Sequence, residues 1–190
     1  MKRKIFIIGS NSFIAKNVLR FIDKNQFSVI RVCRPKFDLS KKNSISKLKE
    51  YFQEGSVILF VAAKAPVKSY KDYYYNIKIL NNFLNIIDIK SIHHFYYISS
   101  DAIYSDSKYK IQENSLKEPE NLHGLMHLNR EIIIEQLFKN KCSFLRPTLV
   151  YGPGDKHLGY GPNKFINDAL KLNKIKLFGK GEELRDHIYI

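Results

Sequence analysis

Short apolar bursts recur along the chain, separated by stretches whose apolar positions fall every three or four residues. The bursts "KIFIIG" (Lys4–Gly9), "FSVIRV" (Phe27–Val32), "SVILFVAA" (Ser56–Ala63), "HFYYISS" (His94–Ser100) and "CSFLRP" (Cys142–Pro147) are β-branched or aromatic, with polar or turn residues at their borders. That pattern predicts buried strands. The stretches between them, 12–24, 43–53, 71–89 and 121–139, have helical spacing. In the third, Tyr73, Ile77, Leu80, Leu84 and Ile87 mark one apolar face. Alternation of this kind predicts an α/β fold, a doubly wound parallel sheet with helices on both faces and right-handed crossovers.

From Tyr151 the texture changes to Gly and Pro turns ("YGPGD", "GYGPNKF"), one more helix, then "IKLFG" and "HIYI". Residues 1–150 are therefore expected to form one domain and 151–190 the beginning of a smaller lobe. The tail stops on a strand, which predicts a truncated lobe. No internal repeat or low-complexity linker interrupts the 190 residues.

At 44% hydrophobic residues the chain has ample material for a packed core and does not read as disordered. Its formal charge of +14 raises nucleic-acid binding. Yet Lys and Arg are dispersed without a contiguous basic block, so a lysine-rich solvated surface accounts for them and no nucleic-acid partner is expected. A positive field would also favour an anionic substrate. Cys33 and Cys142 lie in apolar runs without a CxxC pattern, which reads as reduced core thiols in a cytoplasmic protein. No apolar run reaches the length of a membrane span, and no membrane partner is expected.

The candidate chemistry begins with "IIGSNSFIAKNVL", which follows the first strand and opens the first helix. A Gly-rich loop at that place lets backbone N–H groups approach a pyrophosphate. Of a G-x-x-G-x-x-G pattern only Gly9 remains, with the small residues Ser12 and Ala15 in the other places. A plain strand–turn–helix connection would look similar.

Four further segments follow in order: "FVAAKAP", "ISSDAIYS", "LRPTLVYGPGD" and "FGKGEELRDHIYI". With the loop, they resemble the extended short-chain dehydrogenase/reductases, the nucleotide-sugar epimerase, dehydratase and reductase family. "GSNSFIA" is similar to the family's nucleotide loop and "FVAAKAP" to the segment ending its fourth strand. "ISSDAIYS" is similar to its catalytic-serine strand, and the last two segments to its passage into the substrate lobe. The resemblance implies a Rossmann-type sheet holding a nicotinamide cofactor at the C-terminal ends of the strands. The cofactor-binding residues it implies are Gly9, Ser12, Phe13, Ile14, Asp38, Leu39, Ala62, Ala63, Asn76 and Pro147. At the end of the second strand, NAD binders of the family tend to place an acid. Here Cys33 is followed by Arg34, a fixed cation suited to a 2′-phosphate, which favours NADP over NAD.

The family's acid/base pair is a tyrosine and, four residues on, a lysine. In this chain "HGLMH" stands at that place, with His123 for the tyrosine and His127 for the lysine. A tyrosine must drop about three pKa units, roughly 4 kcal/mol, to be half ionised near neutrality. Histidine begins near that range and needs no neighbouring cation, so losing both residues together is chemically coherent. Histidines at i and i+4 share a helix face and could together begin a metal site. A third ligand is wanting nearby, and no metal is expected.

Ser100 aligns with the residue that hydrogen-bonds the reacting sugar oxygen, and it could equally cap a turn at the strand end. Asp101 follows it. Dehydratases of the family carry T-D-E where this chain has Ser100-Asp101-Ala102, so dehydration is disfavoured. The resemblance gives Tyr104 a structural role and places Lys64, Asn163 and Arg185 on the substrate side, Arg185 toward a diphosphate. Its overall implication is NAD(P)-dependent reduction or epimerisation of a nucleotide-activated sugar by Ser100, Asp101, His123 and His127. A homodimer is compatible with it. The alternative is a catalytically degenerate nucleotide-binding or regulatory protein on the same fold.

Overall fold

The computed structural model of the chain describes residues 2–107, 110–155, 161–177, 180 and 185–190. These fall into two compact units, Met1–Arg146 and Pro147–Ile190.

The first unit is built on five parallel strands: β1 (Arg3–Ile8), β2 (Phe27–Val32), β3 (Ser56–Phe60), β4 (Ile92–Ile98) and β5 (Cys142–Leu145). Their order in the sheet is β2-β1-β3-β4-β5. The chain runs outward from β1 to β2, then crosses back to lay β3 on the other side of β1. That reversal parts the connections above β1 and β3 and leaves a crevice at the strands' C-terminal ends. β3 is buried along its whole length, which explains its unbroken apolar run.

One sheet face carries most of the core. Phe6, Ile8, Ile58, Phe60, Phe95 and Tyr97 pack there under the short helix α2 (Lys42–Ile45), α3 (Tyr70–Leu84) and α4 (Leu122–Phe138). The opposite face, through Ile7 and Leu59, meets α1 (Phe13–Phe21). Helices thus wind on both sides, three on one and one on the other among the described residues. Beyond the cover of α1, Tyr96 and Leu145 are exposed.

Several expected boundaries shift. The helical stretch 43–53 is α2 followed by a 3-10 segment, Ser46–Tyr51. The helix expected over 71–89 stops at Leu84, and its buried residues are Asn76, Ile79, Leu80, Asn82, Phe83 and Leu84. Tyr73 and Ile77 are only half-buried, because the face toward the sheet is rotated by one position. The third burst ends as a strand at Phe60, leaving Val61–Ala63 as loop. Both cysteines are free thiols, half-buried rather than in the core. Cys142 begins a sheet-edge strand.

The second unit contains β6 (Leu149–Tyr151) paired in parallel with β7 (His187–Tyr189), and α5 (Gly161–Leu172). Ile175–Leu177 of the "IKLFG" stretch is not a strand; Phe178 and Gly179 lie outside the described residues. Among the described residues no helix is long and apolar enough to cross a membrane.

Candidate active site

A cleft of about 900 Å³ opens at the C-terminal ends of β1, β2 and β3. Gly9, Ser12, Arg34, Asp38, Leu39, Ala62, Ala63 and Lys64, all singled out in the sequence, line it. Gly9 has φ +87°, and a Cβ there would stand 2.8 Å from the Ala62 backbone. Glycine is what lets the first loop and the segment after β3 close against each other. Ser12 caps α1 by accepting from the Ala15 N–H at 3.3 Å. The N–H groups of Phe13 and Ile14, in the first turn, have no intrahelical partner and remain available to an anion.

Arg34 is exposed on the cleft wall, where the Asn11 amide bonds its carbonyl. The Asp38 carboxylate accepts from the Ser40 N–H and hydroxyl, and the Ser40 hydroxyl chiefly holds its pKa below the usual carboxylate value. Free N–H groups at a helix start and a cation on the wall form a donor set that fits an anionic dinucleotide.

Asn76 is not in the cleft lining but lies fully buried behind it. Its Oδ1 accepts from the Lys64 N–H at 2.9 Å, and its Nδ2 donates to the carbonyls of Lys64 and Asp72. Arg130, also fully buried, donates to the Ala62 carbonyl at 3.0 Å and to the carbonyl and side-chain oxygen of Asn76. No carboxylate pairs with it among the described residues; the Phe60 and Tyr97 rings face its guanidinium at 5.4 and 5.9 Å. Lys64 pairs with Asp72 at 2.6 Å, and that ammonium is the first cause of the lowered Asp72 pKa, ahead of the Ser69 hydroxyl.

The start of α4 meets the end of β4. Asn121 caps the helix by accepting from the N–H groups of His123 and Gly124. Gly124 packs on the 3-10 turn Asp101–Ile103 so closely that a Cβ would lie 1.8 Å from the Ala102 oxygen. This contact sets His123 beside that turn. Burial lowers the His123 pKa below 6.5, while the Asp101 charge works the other way. Its Nδ1 is buried with no partner. Ser100 Oγ donates to Asp101 Oδ1 at 3.1 Å and accepts from the Ala102 N–H. Ser100 therefore does cap a turn, and no hydrogen bond joins it to His123 among the described residues.

His127 points inward. It is 5% exposed, and its Nδ1 lies 2.7 Å from the Tyr97 hydroxyl on β4. Burial first, then the His123 and Arg130 charges, hold its pKa well below 6.5. The two imidazoles meet edge to face at 4.8 Å. Behind them, Glu131 accepts a two-pronged pair from Arg146 at 2.9 and 2.8 Å, and Arg146 also donates to the Tyr104 hydroxyl. Tyr104 thus has structural bonds.

Pro147, Asn163 and Arg185 belong to the second unit. Asn163 Nδ2 donates to the Gly152 carbonyl and to Asp155. Arg185 is exposed, and its carbonyl faces His187 Nδ1 at 3.1 Å. Gly159–Tyr160 of "GYGPNKF" and residues 178–179 and 181–184 of the "RD" segment lie outside the described residues, as does His157. Among the described residues, no three His, Cys, Asp or Glu side chains gather as metal ligands.

Sequence reasoning missed Asn11, Lys71, Asp72 and Tyr75 in the cleft lining. It also missed Tyr97 and Arg130 beneath the site. Arg130 had one legible signal, its place three residues after His127 on the same helix face.

A five-stranded parallel sheet, a glycine turn into a helix N-terminus and a cleft at the topological reversal define a nucleotide-binding α/β protein. The NAD dependent epimerase/dehydratase family model matches residues 5–190, and the chain belongs to that family. It is 25% identical to the uncharacterized UDP-glucose epimerase YtcB of Bacillus subtilis (strain 168), over 99% of this chain and 62% of that protein. The chain thus spans less than two thirds of that relative's length. It superposes on the UDP-glucose 4-epimerase of Thermotoga maritima, crystallised with UDP-glucose, with TM-score 0.83 and 21% identity, covering 98% of this chain and 69% of the other. The dTDP-4-dehydrorhamnose reductase of Bacillus anthracis str. Ames, in complex with NADP, matches with TM-score 0.75 and 18% identity, over 90% and 60% of the two chains.

Proposed function

We propose that this chain carries the cofactor-binding and acid/base parts of an NAD(P)-dependent enzyme that epimerises or reduces a nucleotide-activated sugar. The observation that carries the proposal is the seating of Gly124 on Ala102, with the neighbouring His123 imidazole within reach of the Asp101 charge. The family and the names of the similar proteins support the substrate class.

The N–H groups of Phe13 and Ile14 would hold the cofactor's diphosphate, Asp38 and Leu39 would lie beside its adenine, and Arg34 would meet a 2′-phosphate, which favours NADP. Once bound, the cofactor supplies hydride acceptance and donation. The chain supplies the proton. His123, half-buried and uncharged at neutral pH because burial depresses its pKa, accepts a proton from a sugar hydroxyl and returns it in the reverse direction. Ser100 binds the same sugar oxygen after its hydroxyl turns from Asp101. Asn163 and Arg185 are the proposed contacts to the nucleotide sugar from the second unit, with Lys64 at the cleft.

The test is turnover of UDP- and dTDP-sugars, followed by nicotinamide absorbance, in wild type and His123→Ala. General acid–base catalysis is worth about 10²–10⁴-fold. A loss of that size with unchanged cofactor affinity is expected. Equal turnover in the two proteins would remove His123 from the chemistry.

The second reading, a nucleotide-binding protein without turnover, is favoured by Ser100 already spending its hydrogen on Asp101. Cofactor binding with no turnover of any sugar nucleotide would select it.

A further inference from the structure

Tyr97 is 1% exposed and has one hydroxyl hydrogen to place. Its oxygen lies 2.7 Å from His127 Nδ1, and the rings sit nearly parallel at 5.8 Å. The Arg130 guanidinium carries donors only and offers that hydrogen nothing, and the Glu131 carboxylate, whose charge also reaches Tyr97, spends both oxygens on Arg146. Two arrangements satisfy the 2.7 Å contact. In one, the phenol donates to a bare Nδ1 and the imidazole keeps its hydrogen on Nε2. In the other, Nδ1–H donates to the phenol oxygen and the phenol hydrogen is buried without an acceptor. The second leaves a buried donor unmade, a cost larger than the small intrinsic difference between imidazole tautomers.

We propose that Tyr97 is a positioning residue that locks His127 as a neutral imidazole with its hydrogen on Nε2, and that Arg130 fixes the phenol in the orientation this needs. The buried cation sits over the Tyr97 ring and is itself pinned by the Ala62 and Asn76 oxygens, so on that side the phenol meets a donor and no acceptor. Burial keeps that phenol protonated, pushing its pKa up to about 12 against the pull of Arg130. Around the His127 ring and its phenol partner the titratable and charged groups are Tyr97 from β4 and His123, Arg130 and Glu131 from α4, with Asp101 of the 3-10 turn beyond His123.

His127 thereby offers a fixed, uncharged donor where an ammonium would offer a mobile, charged one. Its use in turnover rests on the proposed function, but the tautomer does not.

The test is long-range proton–nitrogen NMR of protein labelled with ¹⁵N-histidine, assigned with His127→Gln, and needs no substrate. The expected wild-type spectrum at neutral pH shows His127 as a single Nε2–H tautomer. In Tyr97→Phe, which removes one oxygen and keeps the ring, that pattern is expected to give way to a mixture of tautomers. Arg130→Lys, retaining the charge, should keep it. An Nδ1–H or doubly protonated pattern in wild type would overturn the proposal, as would an unchanged His127 signal in Tyr97→Phe. The wild-type spectrum decides the tautomer even if the phenylalanine variant fails to fold. A loss of turnover in His123→Ala is read separately, so the two proposals fail independently.

Discussion

Gly124 and Ala102 touch across the junction of α4 and the 3-10 turn Asp101–Ile103 with no room for a methyl group: a Cβ would stand 1.8 Å from the carbonyl oxygen. The Pro119 side chain closes the same space at 2.9 Å. Gly124→Ala must therefore push the helix start away from the turn at Asp101–Ile103. Overpacking of this kind costs about 1–3 kcal/mol. Urea unfolding should show that loss, and turnover should fall further than stability because His123 moves with the helix. A fully active, equally stable variant would show that the junction does not place the imidazole.

Arg34 is the exposed cation on the cleft wall beyond β2. Hydrogen bonds to charged groups are worth about 1.5–3 kcal/mol. Arg34→Ala should weaken NADPH by about tenfold to a hundredfold and leave NADH nearly unchanged, measured by cofactor fluorescence titration. An equal loss for both cofactors would deny Arg34 any part in choosing between them.

His94, His123 and His127 are all held below 6.5, chiefly by burial. As pH falls through 6.5, the unfolded chain takes up protons that the folded chain refuses. Their contribution to stability is thus fully present above that pH and is lost as pH drops toward the folded values. For His127 the slope approaches about 1.4 kcal/mol per pH unit. Urea midpoints should decline from about pH 7.5 to about pH 5.5, and less steeply in His127→Gln. A flat profile would mean that the imidazole is solvated.

Glu131 is 1% exposed in its pair with Arg146. Removing one partner of a buried pair costs about 3–5 kcal/mol, whereas replacing both with apolar groups is often neutral. Glu131→Leu should lower the urea midpoint strongly, and Glu131→Leu with Arg146→Met should recover most of it. A double variant as weak as the single one would argue that each residue has contacts beyond the pair.

The sheet was legible because its signals are local. Each apolar burst became a strand, and the order of loop, strand end and helix start brought Gly9, Arg34 and Ala62 to one cleft. His127 was not legible in the same way. Spacing places it on the face of His123, but only the long-range pairing of α4 with β4 shows that it turns to Tyr97. Tyr97 itself read as strand filler, since an aromatic in an apolar run gives no hint of where its hydroxyl goes. Arg130, within "NRE", carries no sequence signal of its burial beyond its place one turn from His127. Its burial depends on the carbonyls of Ala62 and Asn76, 68 and 54 residues away along the chain.

The clasp of Asn76 and Arg130 on residues 62–64 has a bearing on affinity. Three hydrogen bonds already hold that segment by its backbone groups: Asn76 to both sides of Lys64, and Arg130 to Ala62. A nucleotide arriving there meets a wall set during folding. The entropy of stiffening it is spent before the ligand comes, and contact energy can appear almost undiminished as tighter binding.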